Sequence, residues 1–467
     1  MIKKERKLNL PMIGTIMALA WPTMLEQAMQ TAVQYIDTAM VGSLGTYATA
    51  AVGATSTVSW LIGSSTAALG IGFLSYIARS IGAGDREKAS RASAQAVLVT
   101  LIVGVLFTAL CLGLSNRVPV WMQVDPAIQE LAAQYFFILY APMLPRTAST
   151  IFGMVLRSAG DTKSPMKIGV LVNLLNVVLN FLLIYPTRTI WGISVPGAGL
   201  GVVGAALASA AAFTFGGIAI TAVLWRHKVV SPRGRSLRPD MEILSPCMKV
   251  ALPNMLQRFG TSLGYVFFAS MVNSIGEVAT AAHTIANTVE SAFYIPGYGM
   301  QTAAATLVGN AYGAKDKQRM KEVSSMFLPI EVVLMVISGG ALFAFAPSLM
   351  GIFSDSREVI DLGTTVLRMV ALSEPFYGVS IIVEGMMQGV GRTKAPFIFN
   401  ITGMWGIRIV GTYICTQILS MGLVSAWGCM IGHNMLLFTL FTVTYLRGTW
   451  NPLAETSEGG RRRVTAG

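Results

Sequence analysis

The chain carries little charge for its length. Asp, Glu, Lys and Arg together make up 12% of its 467 residues, whereas 53% of the residues are hydrophobic, and the mean hydropathy is +0.61. Ordinary soluble domains contain about 25% charged residues. The composition therefore excludes an ordinary soluble protein and predicts a polytopic membrane protein.

The sequence also lacks the motifs of several kinds of site. The four cysteines stand singly without a CxxC pair, so neither a disulfide framework nor a zinc site is predicted. No GxxxxGK sequence occurs, which argues against direct use of ATP. Neither an HExxH motif nor a DDxxD-type acidic cluster is present, so a membrane-embedded enzyme such as a prenyltransferase is disfavoured and we expect no enzymatic activity.

Twelve apolar windows have the length of a membrane-spanning helix. They lie at residues 13–42, 50–78, 93–115, 128–155, 165–187, 198–226, 247–273, 282–309, 323–346, 358–387, 395–418 and 422–446. The first window is longer than the apolar core of a signal peptide and has no convincing cleavage site, so we expect it to be retained.

The basic residues indicate the orientation of these windows. With a cytoplasmic N-terminus, the loops on the outer side hold only Arg117, Arg188 and Arg357, and most of the 34 lysines and arginines fall in the inner loops. This asymmetry predicts a multi-pass protein of the cell (cytoplasmic) membrane with both termini in the cytoplasm. It also accounts for the net charge of +12 without a nucleic-acid partner.

The two halves of the chain are copies of one unit. Pro22 corresponds to Pro253, an offset of 253 − 22 = 231 residues, and the same offset pairs AMVGSLGTYATAA (39–51) with SMVNSIGEVATAA (270–282). Because each copy has six windows, the repeats have the same orientation and are parallel. The predicted divisions are an N-lobe at 1–225, a cytoplasmic linker at 226–246, a C-lobe at 247–450 and a cytoplasmic tail at 451–467.

Two acids, Glu26 and Asp37, lie inside the first predicted span. On an ideal helix Glu26, Gln30 and Asp37 fall on one side of an otherwise largely apolar stretch. A charge near the bilayer centre costs about 2.5 to 3.5 kcal/mol on insertion scales, so Asp37 is predicted to couple ions, the alternative being a capped or solvated helix end. Glu26 is either a second acid on this pathway or a structural partner of Arg258 or Arg146.

Three asparagines share one face of the fifth span, at Asn173, Asn176 and Asn180. Interhelical hydrogen bonding is a common use of such residues in membranes. Because Asp37 needs a partner, we predict that these asparagines take part in the same ion-coupling site.

A second polar stripe, formed by His283, Asn287, Glu290 and Tyr294, lies on the eighth span. The first repeat has Val52 and Ser59 where this stripe has its histidine and its acid, so the stripe is specific to the second half. It is predicted to bind substrate or protons, the alternative being packing between helices.

Two further residues join this predicted substrate-binding set. Gln257 occupies the position that Glu26 has in the first repeat, and Glu374 lies on the tenth span. Arg408, in the eleventh span, is predicted to form a structural ion pair with Glu384 or Glu290.

The paired motifs resemble those of the multidrug and toxic compound extrusion (MATE) transporters of the MOP flippase superfamily. They are DTAMVGSLG (37–45), GAGD (82–85), GAKD (313–316), LRSAGDTKSP (156–165) and MQGVGRTKAP (387–396). The resemblance covers essentially the whole chain. It implies an all-α protein whose twelve transmembrane helices form two parallel six-helix repeats, the N- and C-lobes, around a central cavity.

The resemblance also implies the function and part of the site. It implies antiport of organic, cationic or amphipathic compounds against protons or sodium ions, with no other cofactor. The positions that match the family's ion-sensitive site are Asp37, Asn176 and Asn180, where sodium would bind if it is the coupling ion. Some members carry sodium-binding acids on helices 7 and 10, but this chain has Thr261 and Tyr377 there.

We therefore predict a secondary active multidrug efflux antiporter that works as a monomer in the lipid bilayer on small organic substrates. The alternative with the same fold is a flippase for lipids or lipid-linked oligosaccharides, which predicts more than twelve helices and a strongly cationic cavity.

Overall fold

The computed structural model of the chain describes residues 10–122, 124–190 and 192–454. The basic N-terminal segment at 1–9 and residues 455–467 of the predicted tail lie outside this described part.

The described residues are almost entirely helical, and each of the twelve predicted windows holds one helix or consecutive helical segments. In the first half these elements are α1 (Leu10–Gly42), α2 (Thr46–Gly82), α3 (Arg86–Leu114), α4 (Val118–Trp121), α5 (Gln129–Tyr140), α6 (Met143–Ser158), α7 (Lys163–Ile184), β1 (Pro186–Ile190), β2 (Ile193–Ala198) and α8 (Gly201–Arg226). In the second half they are α9 (Met241–Asn273), α10 (Glu277–Gly313), α11 (Lys317–Phe353), α12 (Arg357–Ala371), α13 (Glu374–Val390), α14 (Lys394–Ile401), a π-helical stretch (Thr402–Ile409), α15 (Val410–Tyr413), a second π-helical stretch (Ile414–Ile418) and α16 (Leu423–Leu446).

The sequence repeat recurs in the bounds of the helices. α2 and α10 begin and end at equivalent positions, since 46 + 231 = 277 and 82 + 231 = 313. α3 and α11 both begin after an N-cap aspartate. Asp85 accepts from the backbone nitrogen of Lys88 and Asp316 from that of Arg319, each at 2.9 Å, which satisfies a free N–H at each helix start. The equivalence of the two halves therefore extends to local capping.

Two predicted spans are broken at equivalent places. α6 begins at Met143 and α13 at Glu374, and 143 + 231 = 374. Pro142 and Pro375 flank these starts, and proline has no N–H with which to continue the preceding helix. The break between α12 and α13 bends the chain by 52°.

The composition of the helices agrees with a multi-pass membrane protein. Six of the described helices are long and apolar enough to span a membrane, or seven if α12 and α13 count as one bent span. The long helices α1, α9 and α10 are not among these six. They carry most of the polar residues predicted to be functional, including Asp37 and Glu290.

The described residues divide into two compact units. Unit 1 contains residues 10–24, 82–84 and 260–454, and unit 2 contains residues 25–81 and 85–259. α1 therefore contributes its first part to unit 1 and the rest to unit 2, while α9 does the reverse. The division into lobes at the linker stays a prediction.

The predicted linker packs onto the start of α3 in unit 2. Asp240 forms an ion pair with Arg91, and its backbone nitrogen donates to Gln95 Oε1 at 3.0 Å. Ser90 donates to the carbonyl of Ser231 at 2.6 Å. These contacts hold the end of the linker beside α3, directly before α9 begins at Met241.

An antiparallel hairpin of β1 and β2 joins α7 to α8. The sequence windows predict a loop between residues 187 and 198, so these strands are a finding of the structure. Its turn contains Gly192 with a φ of +82°, a conformation that glycine adopts readily because it has no side chain.

Candidate functional site

Asp37, one of the two acids of the first span, lies in a hydrogen-bonded group within unit 2. Asn180 Nδ2 on α7 donates to Asp37 Oδ1 on α1 at 2.5 Å. Asn176, one turn earlier on α7, lies 3.0 Å from Ser209 Oγ on α8. Both asparagines are buried. Side chains from three helices therefore form one hydrogen-bonded group around the carboxylate of Asp37.

The amide of Asn176 reaches the same carboxylate when its nitrogen faces Asp37. In that orientation Nδ2 donates to Asp37 Oδ1 at 2.8 Å and Oδ2 at 3.1 Å, and Oδ1 accepts from Ser209 Oγ at 3.0 Å. Asn180 Oδ1 is buried and has no hydrogen-bond partner within the described part of the chain. The group thus combines a half-buried carboxylate with a buried amide oxygen that accepts no hydrogen bond from the described residues.

Close packing of α7 and α8 positions Ser209. A Cβ placed on Gly204 would lie 2.4 Å from the carbonyl oxygen of Leu183, so any other residue at 204 would force the two helices apart. Asn173 is half-buried one turn before Asn176 and does not belong to the described hydrogen bonds around Asp37.

Glu26 lies three turns from Asp37 and has an arginine as its partner. Arg157 Nη2 on α6 donates to Glu26 Oε2 at 2.5 Å. Gly169 on α7 faces the acid, and a Cβ there would lie 3.1 Å from Glu26 Cγ. The structure thus pairs Glu26 with Arg157, not with either of the two arginines considered from the sequence.

In unit 1 the predicted histidine lies in an aromatic environment. His283 Nδ1 accepts from Trp427 Nε1 at 3.2 Å, and its ring meets those of Phe268 and Trp427 edge to face at 5.5 and 5.9 Å between centroids. Trp427 is fully buried. This geometry fits a histidine that accepts one hydrogen bond and fills the core.

Arg408 is buried on the first π-helical stretch and packs over aromatic rings. Its Cζ lies 4.6 Å from the ring centroid of Tyr265 and 4.3 Å from that of Phe268, distances typical of cation–π contacts. Phe268 is the repeat equivalent of Asp37, since 37 + 231 = 268. The second repeat therefore has an arginine stacked on an aromatic ring at the position where the first has an acid.

The remaining predicted residues are not all brought together. Glu290 and Glu374 are buried in unit 1 within electrostatic range of each other, and Glu290 is also in range of Arg408. Tyr294 meets the ring of Tyr377 at 6.1 Å between centroids. The other two residues predicted to bind substrate lie apart from these. Asn287 is exposed, and Gln257 belongs to unit 2.

Sequence reasoning missed three polar residues that the structure makes prominent. Ser209 carries no signal in the sequence, because serines are common in the spans. Arg157 follows the fourth predicted window, which ends at residue 155, so its sequence position suggests a basic residue of an inner loop. Glu331 lies in the apolar run LPIEVVL and is fully buried, so the reasoning that selected Asp37 also applies to it.

Known proteins match this chain over nearly its full length. The MatE family model matches residues 22–182 and 253–414, one segment in each repeat. The probable multidrug resistance protein NorM of Thermotoga maritima is 26% identical over 439 residues, which cover 94% of this chain and 93% of that protein. The NorM protein of Rhizobium meliloti is 27% identical over 431 residues, 89% of each chain.

Solved structures agree with these relatives. A MATE crystal structure in complex with MaL6 superposes with a TM-score of 0.87 at 26% identity, covering 94% of this chain and 97% of the other. A MOP superfamily transporter from Pyrococcus furiosus, whose binding pocket has reversed polarity that suggests a different function, superposes with a TM-score of 0.86 at 27% identity, covering 94% and 96% of the two chains. The predicted family, fold class and transmembrane character are therefore confirmed.

Proposed function

Because the chain belongs to the MatE family, we propose that it is a secondary active antiporter that exports organic, cationic or amphipathic compounds in exchange for protons, with sodium as the alternative coupling ion. The relatives carry the name multidrug resistance protein, which supports the class of cargo. In this proposal the protein is a monomer of the cytoplasmic membrane with both termini in the cytoplasm, and it carries out no enzymatic reaction.

The hydrogen-bonded group around Asp37 is the observation that carries the proposal. Asp37 accepts from Asn180 at 2.5 Å, and the neighbouring oxygen of Asn180 has no partner among the described residues. A proton on Asp37 would remove a charge from the span, and a sodium ion would find carboxylate and amide oxygens as ligands, the type that hard cations prefer.

In this proposal, coupling arises because the incoming cation and the neighbouring amide groups compete for the carboxylate of Asp37. Loading the site with a cation neutralises Asp37 and changes which amide groups bind it. That change alters the contacts between α1 and the α7–α8 pair. It therefore favours one access state of the transporter over the other. Cargo leaves when the state that binds it is disfavoured.

Everted membrane vesicles test the proposal. Export of a fluorescent organic cation is measured with a pH gradient in sodium-free buffer and, separately, with a sodium gradient at constant pH. The wild-type chain is compared with Asp37→Asn and with Asp361→Asn, which changes an exposed acid of α12. We expect transport to be lost only in Asp37→Asn. Undiminished gradient-driven transport in that variant would show that Asp37 does not couple the ion.

A flippase is the second candidate, and a feature of unit 1 favours it. Arg408 is buried, and its Nε and Nη2 have no hydrogen-bond partner among the described residues. Such a guanidinium suits a phosphate or carboxylate headgroup. Adding a fluorescent anionic lipid to the same vesicles separates the two functions, because a flippase moves the lipid without a pH gradient and without exporting the organic cation.

A further inference from the structure

A buried acid that the proposed site does not use lies in unit 1. Glu331 is near the middle of α11 with 0% of its surface exposed. Neither of its carboxyl oxygens has a hydrogen-bond partner in the part of the chain that the structure describes. An ionised carboxylate without partners in such a place costs several kcal/mol. Glu331 therefore needs a proton or a bound cation.

Two glycines on the neighbouring helices make room for this side chain. A Cβ at Gly297 on α10 would lie 2.8 Å from Glu331 Oε1, and a Cβ at Gly378 on α13 would lie 3.2 Å from the same oxygen. The same two Cβ atoms would approach Met335, one turn further along α11, to 2.5 and 2.6 Å. The side chains of α11 thus occupy space that the flanking helices leave open.

The first repeat fills the equivalent layer in a different way. At the same offset, the positions of Gly297, Glu331, Met335 and Gly378 correspond to Thr66, Thr100, Gly104 and Thr147. The three threonines are buried. Compared with the first repeat, the second has less side-chain volume on the flanking helices and more on the central helix. Both flanking positions thus differ in the sense that makes room for the acid in a packed core.

The helices packed against α11 carry several titratable groups. They are Glu290, Tyr294 and Tyr298 on α10, Glu374 and Tyr377 on α13, and Arg368 on α12, whose Nε donates to the carbonyl of Phe343, well beyond Glu331 on α11. Glu374 lies in electrostatic range of both Glu290 and Glu331, and its Oε2 has no hydrogen-bond partner among the described residues. Glu374 thus places a second buried acid near Glu331.

A proton satisfies this arrangement better than a metal ion. No group of three or more His, Cys, Asp or Glu side chains is arranged to hold a metal within the described residues. Neighbouring carboxyl groups in a dry environment commonly share protons, because they cannot both be ionised.

We propose that Glu331 and Glu374 form a proton-binding site in unit 1, separate from the group around Asp37. Glu331 is the primary proton carrier, held in the space made by Gly297 and Gly378, and Glu374 is the adjacent acceptor. Whether a proton occupies this site can be tested without measuring transport. The role of the site in coupling rests on the antiport proposed above.

Infrared spectroscopy of the purified full-length protein at neutral pH detects the proton directly. A protonated buried carboxyl group gives a carbonyl stretching band that shifts on transfer to D2O. We expect Glu331→Gln to lose the intensity of one such group. Glu322→Gln, which alters a more accessible acid on the same helix, should keep the wild-type band. Identical bands in wild type and Glu331→Gln would overturn the proposal.

A second variant keeps the test decisive if Glu331→Gln does not fold. The residues of the first repeat can be placed together in the second as Gly297→Thr, Glu331→Thr, Met335→Gly and Gly378→Thr, a combination that the chain already packs in unit 2. The band should be missing from this variant too, and its retention would refute the assignment.

The two proposals fail separately. Loss of the infrared band in Glu331→Gln, together with undiminished transport in Asp37→Asn, would uphold the proton at Glu331 and reject the proposed coupling residue. The reverse combination would reject only the site in unit 1.

Discussion

Arg157 donates to Glu26 at 2.5 Å and joins α6 to α1 within unit 2. The two side chains are only 10% and 21% exposed, so each charge depends on the other for compensation. Removing one member of a buried ion pair typically costs about 3–5 kcal/mol. We expect Arg157→Met to lower the free energy of unfolding by about 3 kcal/mol, seen as a lower thermal midpoint in detergent.

The double variant Glu26→Gln/Arg157→Met should recover much of this loss, because no unpaired charge remains. An exposed pair supplies the control. Arg235 and Glu87 are 35% and 70% exposed, and Glu87→Gln should change stability by less than about 1 kcal/mol. Equal losses of stability on breaking the two ion pairs would contradict the conclusion that burial makes the Arg157–Glu26 pair important.

The bond from Asn180 to Asp37 should matter for transport. Asn180→Leu keeps a similar volume but removes the donor that lies 2.5 Å from the carboxylate. A hydrogen bond to a charged group contributes about 1.5–3 kcal/mol, so we expect transport driven by a pH gradient to fall about tenfold or more. Initial rates in everted vesicles, normalised to the amount of protein, measure this effect.

Ser209→Ala should have a smaller effect, because Ser209 contacts Asn176 and not Asp37. The double variant Asp37→Asn/Asn180→Leu should be no worse than Asp37→Asn alone, since the two residues act as one unit. Additive losses would mean that Asn180 acts independently of the acid.

Close packing of α10 against α13 depends on glycine. A Cβ at Gly389 would lie 2.3 Å from the carbonyl oxygen of Ala305, and the obstruction is backbone, which cannot rotate away. We expect Gly389→Ala to destabilise the protein by about 1–3 kcal/mol and to lower its thermal midpoint.

Gly340 on α11 is the matched control. It is also a helical glycine of unit 1, but nothing lies within 4 Å of the Cβ position. Gly340→Ala should change stability by no more than about 1 kcal/mol, the difference in helix propensity. A loss as large as that of Gly389→Ala would show that crowding is not the cause.

The linker should respond to pH through His227, which follows the end of α8. Its Nδ1 accepts from the backbone nitrogens of Val229 and Val230 at 3.2 and 3.3 Å. Burial lowers the pKa of His227 below its usual value of 6.5, and the charge of Asp161 opposes this shift in part. Because the folded-state pKa is lowered, the stabilisation is complete above pH 6.5 and is lost as pH falls through the lowered pKa.

Hydrogen exchange of these two amides checks the prediction. After correction for intrinsic rates, protection should be constant above neutral pH and should decrease in acid, because a protonated imidazole cannot accept at Nδ1. In His227→Phe the protection should be low at every pH. The same pH dependence in both proteins would assign the effect to another group.

Much of the fold was predictable because its signals are local. An apolar run long enough to span a bilayer forms a helix wherever it packs, so the windows located the helical segments. Asp85 and Asp316 cap their helices through bonds three residues away, and the duplicated sequence implied duplicated structure. The hairpin after α7 was missed because its short strands have little alternation of apolar and polar residues.

The sequence by itself determined the family, the helical repeat and the face of α7 that carries Asn176 and Asn180, since helical spacing specifies direction around one axis. It could not determine which helix that face meets. Only the tertiary structure brought Ser209 to Asn176, paired Glu26 with Arg157, and placed Gly297 where it leaves room for Glu331. Contacts between distant segments depend on packing that no local pattern encodes.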